Sequence, residues 1–239
     1  MTLIDEILNE KKSELSKIAI IDYTIGISYI AVKTQAGTGL SYAFRNLIPQ
    51  GCSVSDADYN GMNGFTAAKM ALDSDPLKAA MGIAVINSLN KDTETNIAMN
   101  DKINFKNKYV AMIGYFRPVA EQIKSIVDKL DIFELKLTEN TYPSYYAKRI
   151  LPKADIVLIT GTSLIIHTTD EFLPYINKSA ETVFMGPTTP ICKTLLKYGH
   201  IAGSIVINEN GAFKVVRQGG GMKKLKPVVK KIFVEKQKV

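Results

Sequence analysis

The hydrophobic positions of this chain change period along its length. Leu3, Ile7, Leu8 and Leu15 recur at helical spacing behind Thr2, which stands where an N-cap belongs. Residues 18–35 are rich in β-branched side chains and predict a strand; AGTG at 36–39 supplies a turn, and GLSYAFRN at 39–46 the returning strand of a hairpin. A polar, glycine-bearing loop over 49–64 precedes two helical segments, 65–72 and 75–90. In the second of these Asp75 is placed as N-cap and Pro76 in the first turn, where a missing N–H costs nothing. Residues 90–106 are polar enough to be a linker.

From residue 109 a different pattern begins. YVAMIGYFRP at 109–118 is an apolar strand run that ends at Gly114, with Pro118 set to open a helix carrying Val119, Ile123, Ile126, Val127 and Leu130 on one face. The unit then repeats. Strand runs close at Glu139 (132–140), at Gly161 (154–163) and at Gly186 (181–190), as expected of parallel strands covered on both faces. The predicted class is α/β: an N-terminal α+β domain over residues 1–104, then a domain with a mainly parallel sheet over 105–239.

Open parallel sheets bind ligands beyond the carboxyl ends of their strands, where strand order reverses. Gly114, Glu139, Thr160, Gly161, Thr162, Ser163, Gly186, Pro187, Thr188 and Thr189 are therefore expected to converge on one crevice, with Tyr115 and Arg117 beside it. Free N–H groups at helix N-termini there favour an anion. Glu139 is placed either to accept hydrogen bonds from a ribose or another polyol, or to be a solvated loop carboxylate. Arg117 reads as an anion clamp or a surface charge, Tyr115 as crevice wall or packing, and Thr162 and Ser163 as anion donors or helix caps. After Gly114 no second or third glycine follows, which argues against a dinucleotide pyrophosphate. No catalytic residue is identified. Glu139 and Asp170 are the carboxylates, and His167 the imidazole, that the strand ends bring nearest.

Composition narrows the class. With 239 residues, 46% of them hydrophobic, the chain buries a sizeable core. The polar N-terminal stretch and the absence of a long apolar run lead to the expectation of a cytoplasmic protein without a transmembrane segment. Assembly into a homo-oligomer is compatible with all of this. Cys52 and Cys192 are far apart and in no C-x-x-C pair, so both are expected as free thiols. His167, His200 and the two cysteines lack metal-site spacing, while Asp56 and Asp58 either hold a hard cation together with Glu139 or cap turns in the loop.

The formal net charge of +7 is matched by the tail alone, where residues 217–239 carry 8 basic side chains against Glu235. Leu225, Val228, Val229, Ile232 and Phe233 stand at helical spacing among these lysines, predicting a basic amphipathic segment. Such a segment either docks its apolar face on the domain or binds nucleic acid or anionic lipid. The first is favoured, since no aromatic platform or recognition helix accompanies it.

The combination of PLKAAMGIAVINSLN (76–90), YVAMIGYF, ITGTSLIIHTTDEFL, VFMGPTTPI and IAGSIVINE resembles the putative heavy-metal chelation domain family. Its most specific pieces are T-G-T-S-L at 160–164 and G-P-T-T-P at 186–190. The resemblance spans nearly the whole chain. It implies an enolase N-terminal-like domain followed by a Rossmann-like domain, with a ligand site between them. It also implies metal-linked chemistry, the handling of a metal or of a chelating small molecule such as a pterin or a tetrapyrrole-like compound. With so few soft ligands in the chain, a metal ion is expected to be carried by a bound chelating small molecule. Gly114, Glu139, Thr160, Gly161, Thr162, Gly186, Pro187 and Thr188 fall on the family's recurrent positions. Ile166 departs from it, standing where the family has asparagine.

Three functions follow. The preferred one is binding, with or without conversion, of an anionic or metal-chelating small molecule in an interdomain cleft. The others are a transferase or related enzyme using a nucleotide-like cofactor, and a polyanion-binding adaptor acting through the lysine-rich tail.

Overall fold

The computed structural model describes residues 1–47, 58–92 and 99–237. Cys52, Asp56 and most of the 49–64 loop lie outside them, as do residues 93–98 of the expected linker.

Helix α1 (Leu3–Leu15) starts where expected. Thr2 Oγ1 accepts the Asp5 N–H while Asp5 accepts the Thr2 N–H, a reciprocal cap that satisfies two otherwise orphan donors. Strands β1 (Ile20–Ile25), β2 (Tyr29–Thr34) and β3 (Gly37–Tyr42) form an antiparallel sheet in that order. The expected hairpin is thus a three-stranded meander. The long β-branched run folds back on itself at residues 26–28, and Gly37 and Gly39 belong to β3 rather than to a turn. Gly39 is needed there because a side chain would meet the Ala84 carbonyl of the helix packed on this sheet.

That helix, α3 (Pro76–Asn87), follows the short α2 (Gly64–Ala68). Asp75 caps α3 by accepting the Leu77 N–H at 2.8 Å. Its residues from Ala79 to Asn87 are buried on every side, which explains why it shows so little amphipathic contrast.

A short α4 (Met99–Lys102) leads into a seven-stranded sheet. Its strands are β4 (Tyr109–Ile113), β5 (Lys129–Glu134), β6 (Tyr142–Pro143), β7 (Ile156–Thr160), β8 (Glu181–Met185), β9 (His200–Val206) and β10 (Val229–Val234), in spatial order β10-β9-β8-β7-β4-β5-β6. All neighbours pair in parallel except β10, which runs antiparallel to β9. Alternate residues serve opposite faces: Ala111 and Ile113 share a core with α1 and α3, whereas Val110 and Met112 pack with Ala120 and Ile123 of α5 (Arg117–Ile123). Helices α6 (Ala147–Ile150), α7 (Thr168–Phe172) and α8 (Lys193–Leu196) are single turns. The longer α9 (Glu209–Arg217) lies against β1 and β2 and is followed by α10 (Met222–Leu225).

Three expectations are corrected. Helix α5 ends at Ile123, so Leu130 is a strand residue of β5 and not part of the helix face. β5 itself stops at Glu134, because its pairing with β4 runs out at Ile113 and Phe133. The basic tail is a strand and not an amphipathic helix. Pro227 halts α10 after one turn, and the β-branched residues beyond it pair along β9. Its apolar side chains are buried, Ile232 and Phe233 at 3% exposure, while Lys223, Lys224, Lys226 and Lys231 face water. No helix among the described residues is long and apolar enough to cross a membrane.

Candidate functional site

The chain leaves β4 toward β5 and β6 on one side and returns through β7 toward β8 on the other, so strand order reverses between β4 and β7. A cavity of about 510 Å³ opens at the carboxyl ends of these strands. Gly114, Tyr115, Thr160, Thr162 and Ser163 line it.

Gly114 ends β4 with φ +85°, and a Cβ there would stand 2.7 Å from Thr160 Cγ2 and 2.8 Å from Thr160 Cβ. Only glycine supplies both the left-handed backbone and the close approach of the two strand ends. Directly across, Glu134 closes β5. Its Oε1 accepts the Tyr115 N–H at 2.6 Å and its Oε2 the Leu135 N–H at 3.3 Å, which fixes the carboxylate at the cavity wall beside Lys136.

The opposite wall is hydroxylic. After β7 the chain enters a 3-10 turn, Gly161–Leu164, capped by Thr160. Thr160 and Thr162 share a hydroxyl–hydroxyl bond of 2.9 Å. Ser163 Oγ donates to the Thr160 carbonyl at 2.6 Å, so the 2.6 Å contact with Thr169 Oγ1 has Thr169 as donor. Ser163 is thereby a structural hydroxyl, 2% exposed, and not a free nucleophile. Tyr42 at the end of the small sheet and Phe44 just beyond it, with Phe116, Phe133 and Phe172, close the cavity with aromatic surface. Phe44 and His167 both hold left-handed backbones, at φ 46° and 57°. Phe44 lines the cavity, and His167 lies between Ile166 and Thr168, which do so too. Strain of this kind in bulky residues concentrates where a site requires it.

Other expected site residues lie elsewhere. Glu139 is exposed in the loop beyond β5, and the carboxylate at the strand end is Glu134. Arg117 is exposed over the Tyr115 ring, 5.6 Å from its centroid. Gly161 faces Thr189, whose side chain and backbone leave no room for a Cβ. Gly186, at φ +105°, lies against the Phe116 ring. Pro187 and Thr188 join the two sheets: Thr188 Oγ1 accepts the Tyr42 N–H at 3.0 Å, and Asn87 Nδ2 donates to the carbonyls of Leu40 (2.8 Å), Thr188 (3.0 Å) and Pro187 (3.4 Å). Thr189 is fully buried and its hydroxyl has no partner within the described residues.

The helix N-termini expected to hold an anion are also reduced. The turn after β7 is a 3-10 turn, α5 spans 7 residues, and the N–H groups of Tyr115 and Phe116 are taken by Glu134 and by the Gly114 carbonyl. Asp170 accepts the Leu3 N–H at 2.8 Å and so secures the start of α1.

Metal ligation by side chains finds no support among the described residues, where no group of three or more His, Cys, Asp or Glu is arranged to hold an ion. Cys192 is buried, and burial pushes its thiol up to about 12. His200 accepts the Lys236 N–H through Nδ1 at 3.0 Å and stacks on Phe233; its burial lowers its pKa.

Glu134 had a readable signal, standing 20 positions after Gly114, the spacing at which such sheets carry an acidic residue. Tyr42, Phe44 and Asn87 had none, because only the packing of the two sheets brings them here.

Fold and cavity together define a mixed α/β protein: a small antiparallel sheet packed on a mostly parallel seven-stranded one, with a pocket at the point of strand-order reversal. The chain belongs to the family described as "Putative heavy-metal chelation", whose two parts match residues 8–90 and 101–235. A curated relative, the uncharacterized protein MJ0500 of Methanocaldococcus jannaschii, is 24% identical over 96% of this chain and 93% of its own length. Two solved structures of DUF364-family proteins with unknown function share the fold. That from Desulfitobacterium hafniense DCB-2 has a TM-score of 0.83 at 22% identity, covering 98% of this chain and 97% of its own. That from Pyrococcus horikoshii has a TM-score of 0.87 at 19% identity, covering 98% and 100%.

Proposed function

We propose that residues 1–104 and 105–239 act as an enolase N-terminal-like and a Rossmann-like domain that together enclose a small molecule in the 510 Å³ cavity. The single observation that carries this reading is Glu134 fixed beside Lys136 at the wall of an apolar, aromatic and hydroxylic pocket at the strand-order reversal. The family description supports a chelating ligand. With two histidines and two cysteines in the sequence, none at metal-site spacing, the chain's soft ligands support a metal held by that ligand and not by the protein. The protein acts as a cytoplasmic carrier or converter of this compound.

Native mass spectrometry of freshly purified protein tests the reading, with Ser144→Trp as the control. Ser144 lies on the cavity wall at the start of a 3-10 turn, so tryptophan fills the cavity without disturbing a core strand. The expected result is a non-covalent organic adduct in the wild type, carrying a metal isotope pattern, and its loss in the variant. A metal bound without organic mass, or an adduct indifferent to Ser144→Trp, overturns the reading.

A further inference from the structure

We propose that the Glu134 corner of the cavity accepts the ribose diol of a nucleoside that carries no diphosphate; this rests on the small-molecule reading above and specifies the ligand's class. Glu134 follows Gly114 by 20 residues and lies beside it across the β4–β5 pair, where Ile113 and Phe133 are in register and the Gly114 N–H bonds the Phe133 carbonyl at 2.8 Å. This is the position from which parallel sheets of this order hold a ribose.

The chemistry of the corner selects the same group. An ionised carboxylate offers about four acceptor sites and no donor. Backbone N–H groups of Tyr115 and Leu135 use two of them, so the remainder suits a ligand that brings adjacent donors. A neutral vicinal diol does so, whereas a carboxylate or phosphate placed on the Glu134 oxygens themselves would meet like charge, with Lys136 on the same wall the one cation among the described residues of the cavity lining. Leu135, next in the chain, lines the cavity with 50% of its surface exposed, an apolar seat for a flat base.

A diphosphate is disfavoured by the same loop. Phosphate cradles are built from free backbone N–H groups. Here the Tyr115 N–H is held by Glu134, the Phe116 N–H by the Gly114 carbonyl at 3.1 Å, and Pro118 has none. No further glycine follows to let a pyrophosphate approach. The cavity's volume leaves room beyond a nucleoside, along the hydroxyl wall of Thr160 and Thr162, for the second group that would chelate the metal.

Ligand-observed NMR titration tests this with adenosine, guanosine, cytidine and uridine, their 2′-deoxy counterparts, and the 5′-diphosphate of whichever binds. At least one ribonucleoside is expected to bind, its 2′-deoxy form at least about tenfold more weakly, and its diphosphate no more tightly. Glu134→Gln, which keeps the side chain's size, is expected to remove the ribose preference. Failure of all four ribonucleosides at millimolar concentration, equal binding of the deoxy forms, or tighter binding of the diphosphate overturns the proposal. If Ser144→Trp still abolishes the adduct of the purified protein in that case, the cavity remains a small-molecule site and only the nucleoside is wrong. An adduct indifferent to Ser144→Trp removes both.

Discussion

The Tyr115 N–H and the Glu134 carboxylate meet at 2.6 Å across the ends of two neighbouring parallel strands. This one bond sets the character of the pocket: it spends a backbone donor that an anion would need, and it aims a fixed acceptor into an aromatic cavity.

The strand ends on the other side depend on Gly114 and Thr160. Gly114→Ala imposes a left-handed backbone on a residue with a Cβ and drives that Cβ into Thr160, at 2.7 Å from Cγ2. The expected cost is about 1–3 kcal/mol, read as a lower urea midpoint with an unchanged slope. Adding Thr160→Ser, which deletes Cγ2, is expected to recover part of the loss. Strict additivity of the two substitutions would show that the contact does not constrain the strand ends.

Glu10 makes the stability depend on acid pH. It receives the N–H groups of Lys193 (2.9 Å) and Thr194 (2.7 Å) and the Thr194 hydroxyl (2.8 Å), tying α1 to the start of α8. Partial burial raises its pKa, but these three donors outweigh it, and the carboxyl is held below its ordinary 4.5. A depressed folded-state pKa contributes stability that is complete above the unfolded value and is lost as pH falls through the folded one. Urea unfolding from about pH 7 to 3 should therefore show a gap between wild type and Glu10→Gln that is widest above the carboxyl's ordinary 4.5 and narrows as the pH falls below it. A gap independent of pH would refute this role.

The basic tail is expected to matter through its apolar residues. Phe233→Ala removes a buried ring stacked on His200 at 5.4 Å and should cost about 3–5 kcal/mol. Alanine at exposed Lys223, Lys224, Lys226 or Lys231 should change stability by less than about 0.5 kcal/mol each. Chemical denaturation compares them directly. For the same reason a truncation after Gly221 deletes β10 and unpairs β9, so loss of function in it would report unfolding and not a missing docking arm.

Local pattern determined much of this protein. The caps at Thr2 and Asp75, the strand runs ending at Gly114, Gly161 and Gly186, and the mainly parallel class are all written in short-range chemistry: side-chain oxygens beside orphan N–H groups, and apolar runs too short for helices. What local pattern left open was decided by pairing. The register of β4 with β5 ended the second strand at Glu134 and left Glu139 outside. Pairing with β9 turned a lysine-rich segment with helical spacing into a strand, since a free edge with buried-sized side chains gains more from the ladder than from one helical face. The aromatic wall had no local signature at all. Tyr42 and Phe44 reach the cavity because Asn87 and Thr188 bond the small sheet to the loop after β8, contacts between residues 101 and 146 positions apart that only the closed chain brings together.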